Sequence, residues 1–128
     1  MNIPALTAAV AISLTLAACE DNDEHLTKPG FTPIAFDREG DQGAYKILNA
    51  EIEGDGFVQT ISKRVGPSGV NYTLRTYDCQ RRLVRTLATG ETAAALQNLQ
   101  PDPKMAVMIT GSSATMTGDL ACKALGRT

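Results

Sequence analysis

The chain contains no tryptophan and only three Phe and three Tyr, so a core has to be built mainly from Val, Ile, Leu, Met and Ala. Its single histidine, His25, falls in a polar stretch without sustained apolar period and reads as a solvated linker residue. A serine or cysteine nucleophile would therefore find no rigidly placed imidazole partner. Cysteine and histidine are too few and too scattered for the paired spacing of a structural zinc motif. No glycine-rich loop runs into Lys-Ser or Lys-Thr, which leaves Gly66-Pro67-Ser68-Gly69 as a turn rather than a phosphate cradle. Asp37, Glu39 and Asp41 match no EF-hand spacing and read as a solvated loop. The expectation is a protein that is not an enzyme and carries no cofactor and no metal. Carboxylate pairs that meet only in space escape such a search, but nothing in the sequence argues for one.

Long apolar segments are missing too. The uncharged run from Ala5 to Ala18, rising ~1.5 Å per residue as a helix, falls well short of a ~30 Å hydrocarbon core. Its length and small residues fit the apolar part and cleavage region of a secretory signal. Residues 1–18 also lack Lys and Arg, so the terminal amine is the only positive charge there. A signal cut elsewhere and a buried N-terminal helix of a cytoplasmic protein remain the alternatives.

The run closes on Leu16-Ala17-Ala18-Cys19, which resembles the bacterial lipobox. The resemblance implies a signal peptide over residues 1–18, removed before Cys19, and a diacylglyceryl group on the Cys19 sulfur, often with a further acyl chain on the new amine. Two or more acyl chains hold a protein stably on a bilayer, so the membrane becomes a partner through this lipid. Glu20 is not the aspartate that favours inner-membrane retention in some enteric bacteria, which leans the placement toward the outer membrane, its periplasmic or surface face left open.

With Cys19 assigned to lipid, Cys79 and Cys122 remain as an even pair, and in an oxidising compartment two thiols in one small domain tend to pair. The loop of roughly 40 residues would be worth ~4 kcal/mol in the chain-entropy model. Two separate buried thiols are the other reading.

Formal charge is −2, unevenly laid out. Acids crowd residues 20–24 and dominate from Asp37 to Asp55, whereas the stretch from Lys63 to Arg85 is basic. Residues 19–33 mix acids with Pro29, Gly30 and Pro33 and predict a flexible tether, leaving 34–128 as one small folded domain. Phe31, Ile34 and Phe36 read as an edge segment docking onto a sheet. Leu48, Ala50 and Ile52 alternate with polar residues up to a turn at Gly54-Asp55-Gly56, and Phe57, Ile61 and Val65 lie on one face of the next strand. After Gly66-Pro67-Ser68-Gly69, Val70, Tyr72 and Leu74 alternate again, and beyond Asp78-Cys79-Gln80 the residues Leu83, Arg85 and Leu87 oppose Arg82, Val84 and Thr86. This is an antiparallel meander. Glu91 to Leu99 predicts a short helical connection, and Lys104 to Thr110 a last strand buried on both faces. A C-terminal helix follows, capped by Ser112 or Ser113 and ended near Gly126, with the small residues Ala114, Gly118, Ala121 and Cys122 recurring at helical spacing. The fold class is α+β: a sheet meander with a C-terminal helix packed on it.

Val70-Asn71-Tyr72-Thr73-Leu74-Arg75-Thr76-Tyr77-Asp78-Cys79, then Arg81-Arg82-Leu83-Val84-Arg85, then Gly111-Ser112 leading to Cys122, resemble the surface-adhesin protein E-like family of small Gram-negative envelope proteins. The resemblance covers about half of the chain and lacks the tryptophan common before the glycine-serine step. It implies an antiparallel sheet whose C-terminal helix is tied by a Cys79–Cys122 disulfide, and it implies adhesion. The candidate binding face is Lys63, Arg75, Arg81, Arg82 and Arg85, with Arg64 beside them, for an acidic glycan, lipid headgroup or acidic protein patch. Several of them could share one sheet face, although strand alternation divides Arg82 from Arg81 and Arg85, so not all converge, and an ordinary solvated strand face explains them as simply. Nucleic acid is a poor match for an exported chain of negative net charge. The expected function is a non-catalytic binding, adhesin-like or structural module of the cell envelope. The alternative comes from Ser68-Gly69-Val70-Asn71-Tyr72, which resembles a segment of membrane-bound C-type lysozyme inhibitors and implies a periplasmic inhibitor acting through Ser68 and Tyr72.

Overall fold

The computed structural model describes residues 23–128. The signal-like run and the lipid attachment expected at Cys19 lie outside the described residues.

Six antiparallel strands follow one another in sequence order: β1 (Ile34–Asp37), β2 (Ala44–Ile52), β3 (Val58–Gly66), β4 (Gly69–Asp78), β5 (Leu83–Gly90) and β6 (Ala106–Val107). Among the described residues one α-helix, α1 (Ser113–Ala124), follows the last strand, so their architecture is a mostly-sheet α+β meander. Turn chemistry sets the register. The β3–β4 hairpin closes on a Gly66–Gly69 pair, and Gly69 sits at φ +122°, where a side chain would be strained.

Alternation divides the sheet into two buried faces. Val58 pairs with Tyr77 on one, and Ile61 with Leu74 on the other. The first face packs Ala50, Val58, Tyr77 and Met108 against Ala121 and Cys122 of α1. The second gathers Leu48, Tyr72, Leu74, Ala88 and Leu96, with Leu26 and Ile61 packed alongside. A register shift between Ile47 and Asn49 sets Leu48 out of phase, which is why four consecutive residues, Ile47 to Ala50, are all buried.

Ser112 caps α1, its hydroxyl accepting from the Thr115 amide at 3.1 Å. The helix is drawn onto β4 by Gly118: a Cβ there would stand 2.4 Å from the Tyr77 ring. Cys79 and Cys122 form a disulfide with 6.1 Å between their Cα atoms. Its sequence separation of 43 makes it worth about 4 kcal/mol in the chain-entropy model.

Several expectations need correcting. Residues 23–33 are not a free tether. Glu24–Leu26 forms a 3₁₀ turn, Leu26 joins the second core, Phe31 packs beside the first, and the Lys28 amide donates to Asn49 Oδ1 at 2.9 Å. The polar composition is satisfied by partners on the sheet rather than by water. The stretch from Lys104 to Thr110 is not a strand buried on both faces. Only Ala106 and Val107 pair, at the sheet edge, and Val107 and Ile109 remain exposed while Met108 alone turns inward. Phe57 precedes β3 rather than belonging to it, and Arg82 lies in the β4–β5 turn at φ +57° rather than in a strand. Glu91 to Leu99 supplies the expected helical connection as a 3₁₀ helix over Ala93–Gln97.

Candidate functional site

The basic residues singled out from sequence do not form one surface. Register places Arg75 on the α1 side of the sheet and Lys63 and Arg85 on the opposite side, while Arg81 and Arg82 stand in the β4–β5 turn. Most are also engaged. Lys63 Nζ meets Asp23 at 2.6 Å, Arg81 meets Asp78 at 3.5 Å, and Arg82 makes a two-pronged contact with Asp119 at 2.8 and 3.3 Å. Arg85 Nε donates to the Asp102 carbonyl at 2.7 Å. The candidate binding face of Lys63, Arg75, Arg81, Arg82 and Arg85 is thus divided between the two sides of the sheet and the β4–β5 turn, and all of these but Arg75 meet a carboxylate or a backbone carbonyl.

Two other constellations take their place, one on each face and each built from an aspartate, a tyrosine and a cation. On the second face Asp23 accepts from Lys63 and from the Tyr72 hydroxyl at 2.8 Å, and the Lys63 ammonium lies 5.4 Å from the Tyr72 ring centroid. Burial, and then the Asp23 carboxylate, push the Tyr72 hydroxyl above its ordinary pKa. This contact pins the N-terminal segment across the sheet. Beside it opens a 520 Å³ groove bordered by Pro33, Ala35, Ala44, Lys46 and Val65.

On the α1 side Asp41 accepts from Arg64 Nη2 at 2.5 Å, from the Gly43 amide at 2.7 Å and from the Tyr45 hydroxyl. Arg64, then Tyr45, then Gly43 hold the Asp41 carboxyl well below the usual carboxylate range. The same aspartate lies 3.7 Å from Arg38, whose Nε donates to the Gly111 carbonyl just before α1. Gly43 and Gly66 make the slot for Arg64, since a Cβ at either would stand 2.6 Å from its guanidinium.

Sequence reasoning placed Asp41 in a solvated loop and passed over Arg38. The only signal was the glycine on either side, at positions 40 and 43, which lets a short loop fold back on itself. The second segment weighed from sequence splits as well: Ser68 stands exposed in the β3–β4 turn, but Tyr72 is buried and bonded to Asp23, so the two do not present a joint surface.

Among the described residues no group of three or more His, Cys, Asp and Glu side chains is placed to hold a metal ion, and no helix is long and apolar enough to cross a membrane. His25 is exposed in the 3₁₀ turn. Comparison with protein-family models, with curated proteins and with solved structures finds no significant match to this chain.

Proposed function

We propose that this protein is a bacterial cell-envelope lipoprotein, anchored by lipid on Cys19 and placed at the outer membrane, whose folded part is a non-catalytic binding or structural module of the surface-adhesin protein E-like type. The observation that carries the reading is the partition of the cysteines. Cys79 and Cys122 are joined in a disulfide across the core, the kind of crosslink that persists in an oxidising compartment, and the odd cysteine is the one in the lipobox-like Leu16-Ala17-Ala18-Cys19. The described domain adds a small sheet of limited core whose helix is stapled in place, which suits a protein working outside the cytoplasm.

Adhesion comes to this chain from the resemblance alone. The basic side chains are distributed over both faces and a turn, which favours a local, small-ligand contact over a broad charged face.

The intact mass of protein purified from native membranes, alkylated without reduction, tests the reading. A chain starting at Cys19, carrying acyl mass and no alkylated thiol, is the expected result. An unprocessed chain with alkylated cysteines would overturn anchor and export together.

A further inference from the structure

On the α1 side of the sheet the helix packs over the end around Val58 and Tyr77, and its first residue, Ser113, borders a small pocket toward the other end. There the geometry points to an anion site: the 80 Å³ pocket formed by Ser62, Thr73, Arg75 and Ser113 binds an oxyanion group, a sulfate, phosphate monoester or carboxylate borne by its ligand. This deepens the binding reading proposed above and rests on it for its biological meaning.

Four observations support the site. First, its lining is made of donors. Tyr45, Lys63, Arg64 and Asn71 complete the wall, and no carboxylate lines it. Second, its main cation has no carboxylate: among the described residues Arg75 takes part in no ion pair, although it is half-buried, and the side chain that it meets is the Tyr77 hydroxyl, a neutral group. A half-buried guanidinium without a carboxylate is the group that gains most from an oxyanion, which it binds through two parallel N–H donors.

Third, the local charge is unbalanced. Arg38, Arg64 and Arg75 border this end of the face, and Asp41, bonded to Arg64 and close to Arg38, is the carboxylate set among them. Ser113 is also the first residue of a 12-residue helix, whose N-terminal dipole adds positive potential at the same spot. Fourth, hydroxyl protons are available. Asn71 Nδ2 donates to Thr73 Oγ1 and Thr89 Oγ1, Thr89 donates to the Tyr72 carbonyl, and Thr73 Oγ1 lies 3.3 Å from Thr89 Oγ1, a long contact that the Thr73 proton would exchange for an oxyanion in the pocket. Ser62 and Thr73 are buried enough, at 6% and 7% exposure, to hold fixed positions. At about 30 Å³ per water molecule, the pocket has room for roughly two or three waters or one oxyanion group, and not for a whole sugar or lipid.

The test is an NMR titration of the purified full-length chain with sodium sulfate and with inorganic phosphate at constant ionic strength. Saturable shifts confined to Ser62, Thr73, Arg75 and Ser113 are expected, abolished in Arg75→Gln and unchanged in Arg85→Gln, which alters the opposite face. Asn71 is exposed, so Asn71→Asp keeps the core intact while placing a carboxylate at the pocket, and it weakens binding roughly tenfold or more. It decides the matter should Arg75→Gln fail to fold. A sulfated oligosaccharide and vesicles containing phosphatidylglycerol then separate the sources: capture of either through Arg75 supports the site and names the carrier. Shifts that do not saturate, that spread over both faces, or that survive Asn71→Asp overturn it. Failure here in a chain that carries lipid on Cys19 removes the anion site alone, whereas an unprocessed chain that still binds sulfate keeps the site and loses the envelope reading.

Discussion

At the scale of single residues, Tyr77 shows how one side chain joins sheet, helix and pH. It is fully buried between β4 and α1, and its hydroxyl donates to the Ala114 carbonyl at 2.7 Å. Burial pushes the hydroxyl up to about 12, against a smaller lowering influence from Arg75. In the unfolded chain the same group ionises near 10. The neutral form favoured by the fold thus contributes stability that is fully present below pH ~10 and is lost as pH rises toward 12, by roughly 2–3 kcal/mol in all. Tyr77→Phe removes that titration. Urea unfolding should show the variant about 1 kcal/mol less stable at pH 7, for the lost hydrogen bond, with a shallower decline between pH 10 and 12 than the parent. Equal alkaline slopes would show that Tyr77 is not the group responsible. Asp41 teaches the opposite lesson about legibility. Asp37, Glu39 and Asp41 look alike in sequence, and only the fold-back of the loop onto Arg64 and Tyr45 sets the third apart.

Elements were legible where their period was regular. The alternation of Val70, Tyr72 and Leu74 and the Gly66-Pro67-Ser68-Gly69 turn specify β4 and its hairpin without help from the rest of the chain. The register shifts at Leu48 and at Leu87 were not visible, because a bulge leaves the local composition unchanged and moves only the pairing. The Met105 to Ile109 run misled for a related reason: an apolar run reports burial somewhere, and an edge strand of two residues satisfies it with Met108 alone. The glycine in α1 was legible as a question, since it costs about 1 kcal/mol against Ala unless close packing offsets it. The structure answers with the Tyr77 ring. In Gly118→Ala the new methyl would stand 2.4 Å from Tyr77 Cε2 and 2.8 Å from Met108 Cε. The methionine tip can move, but the enclosed ring cannot without dislodging β4. Overpacking of this kind costs about 1–3 kcal/mol and outweighs the propensity gain, so thermal unfolding should move several degrees downward. A variant as stable as the parent would mean that helix and sheet slide apart freely.

For the whole molecule, the decisive contact is the one that was least legible, Asp23 with Lys63 and Tyr72. Composition alone made residues 19–33 a tether able to extend ~3.5 Å per residue, a reach of about 50 Å between Cys19 and Pro33. With Asp23 held on the sheet, the chain back to Cys19 can span at most about 14 Å. A lipid on Cys19, as proposed, then keeps the second face and its groove close to the headgroups and turns the α1 face, with the oxyanion pocket, to the other side of the sheet. The contact is worth testing by hydrogen exchange. Asp23→Ala leaves the Lys63 ammonium and the Tyr72 hydroxyl without that acceptor, a loss of about 1–2 kcal/mol for charge-assisted bonds in a partly enclosed site. Amides held only by this docking, notably Lys28 on Asn49 Oδ1 and Leu26 in the 3₁₀ turn, should exchange about tenfold faster, while those in β3 and β4 keep the parent rates. Unchanged exchange at Lys28 would mean that Leu26 and Phe31 hold the segment without the ion pair. A uniform increase across the sheet would mean that Asp23 supports the whole fold rather than the docking of the N-terminal segment alone.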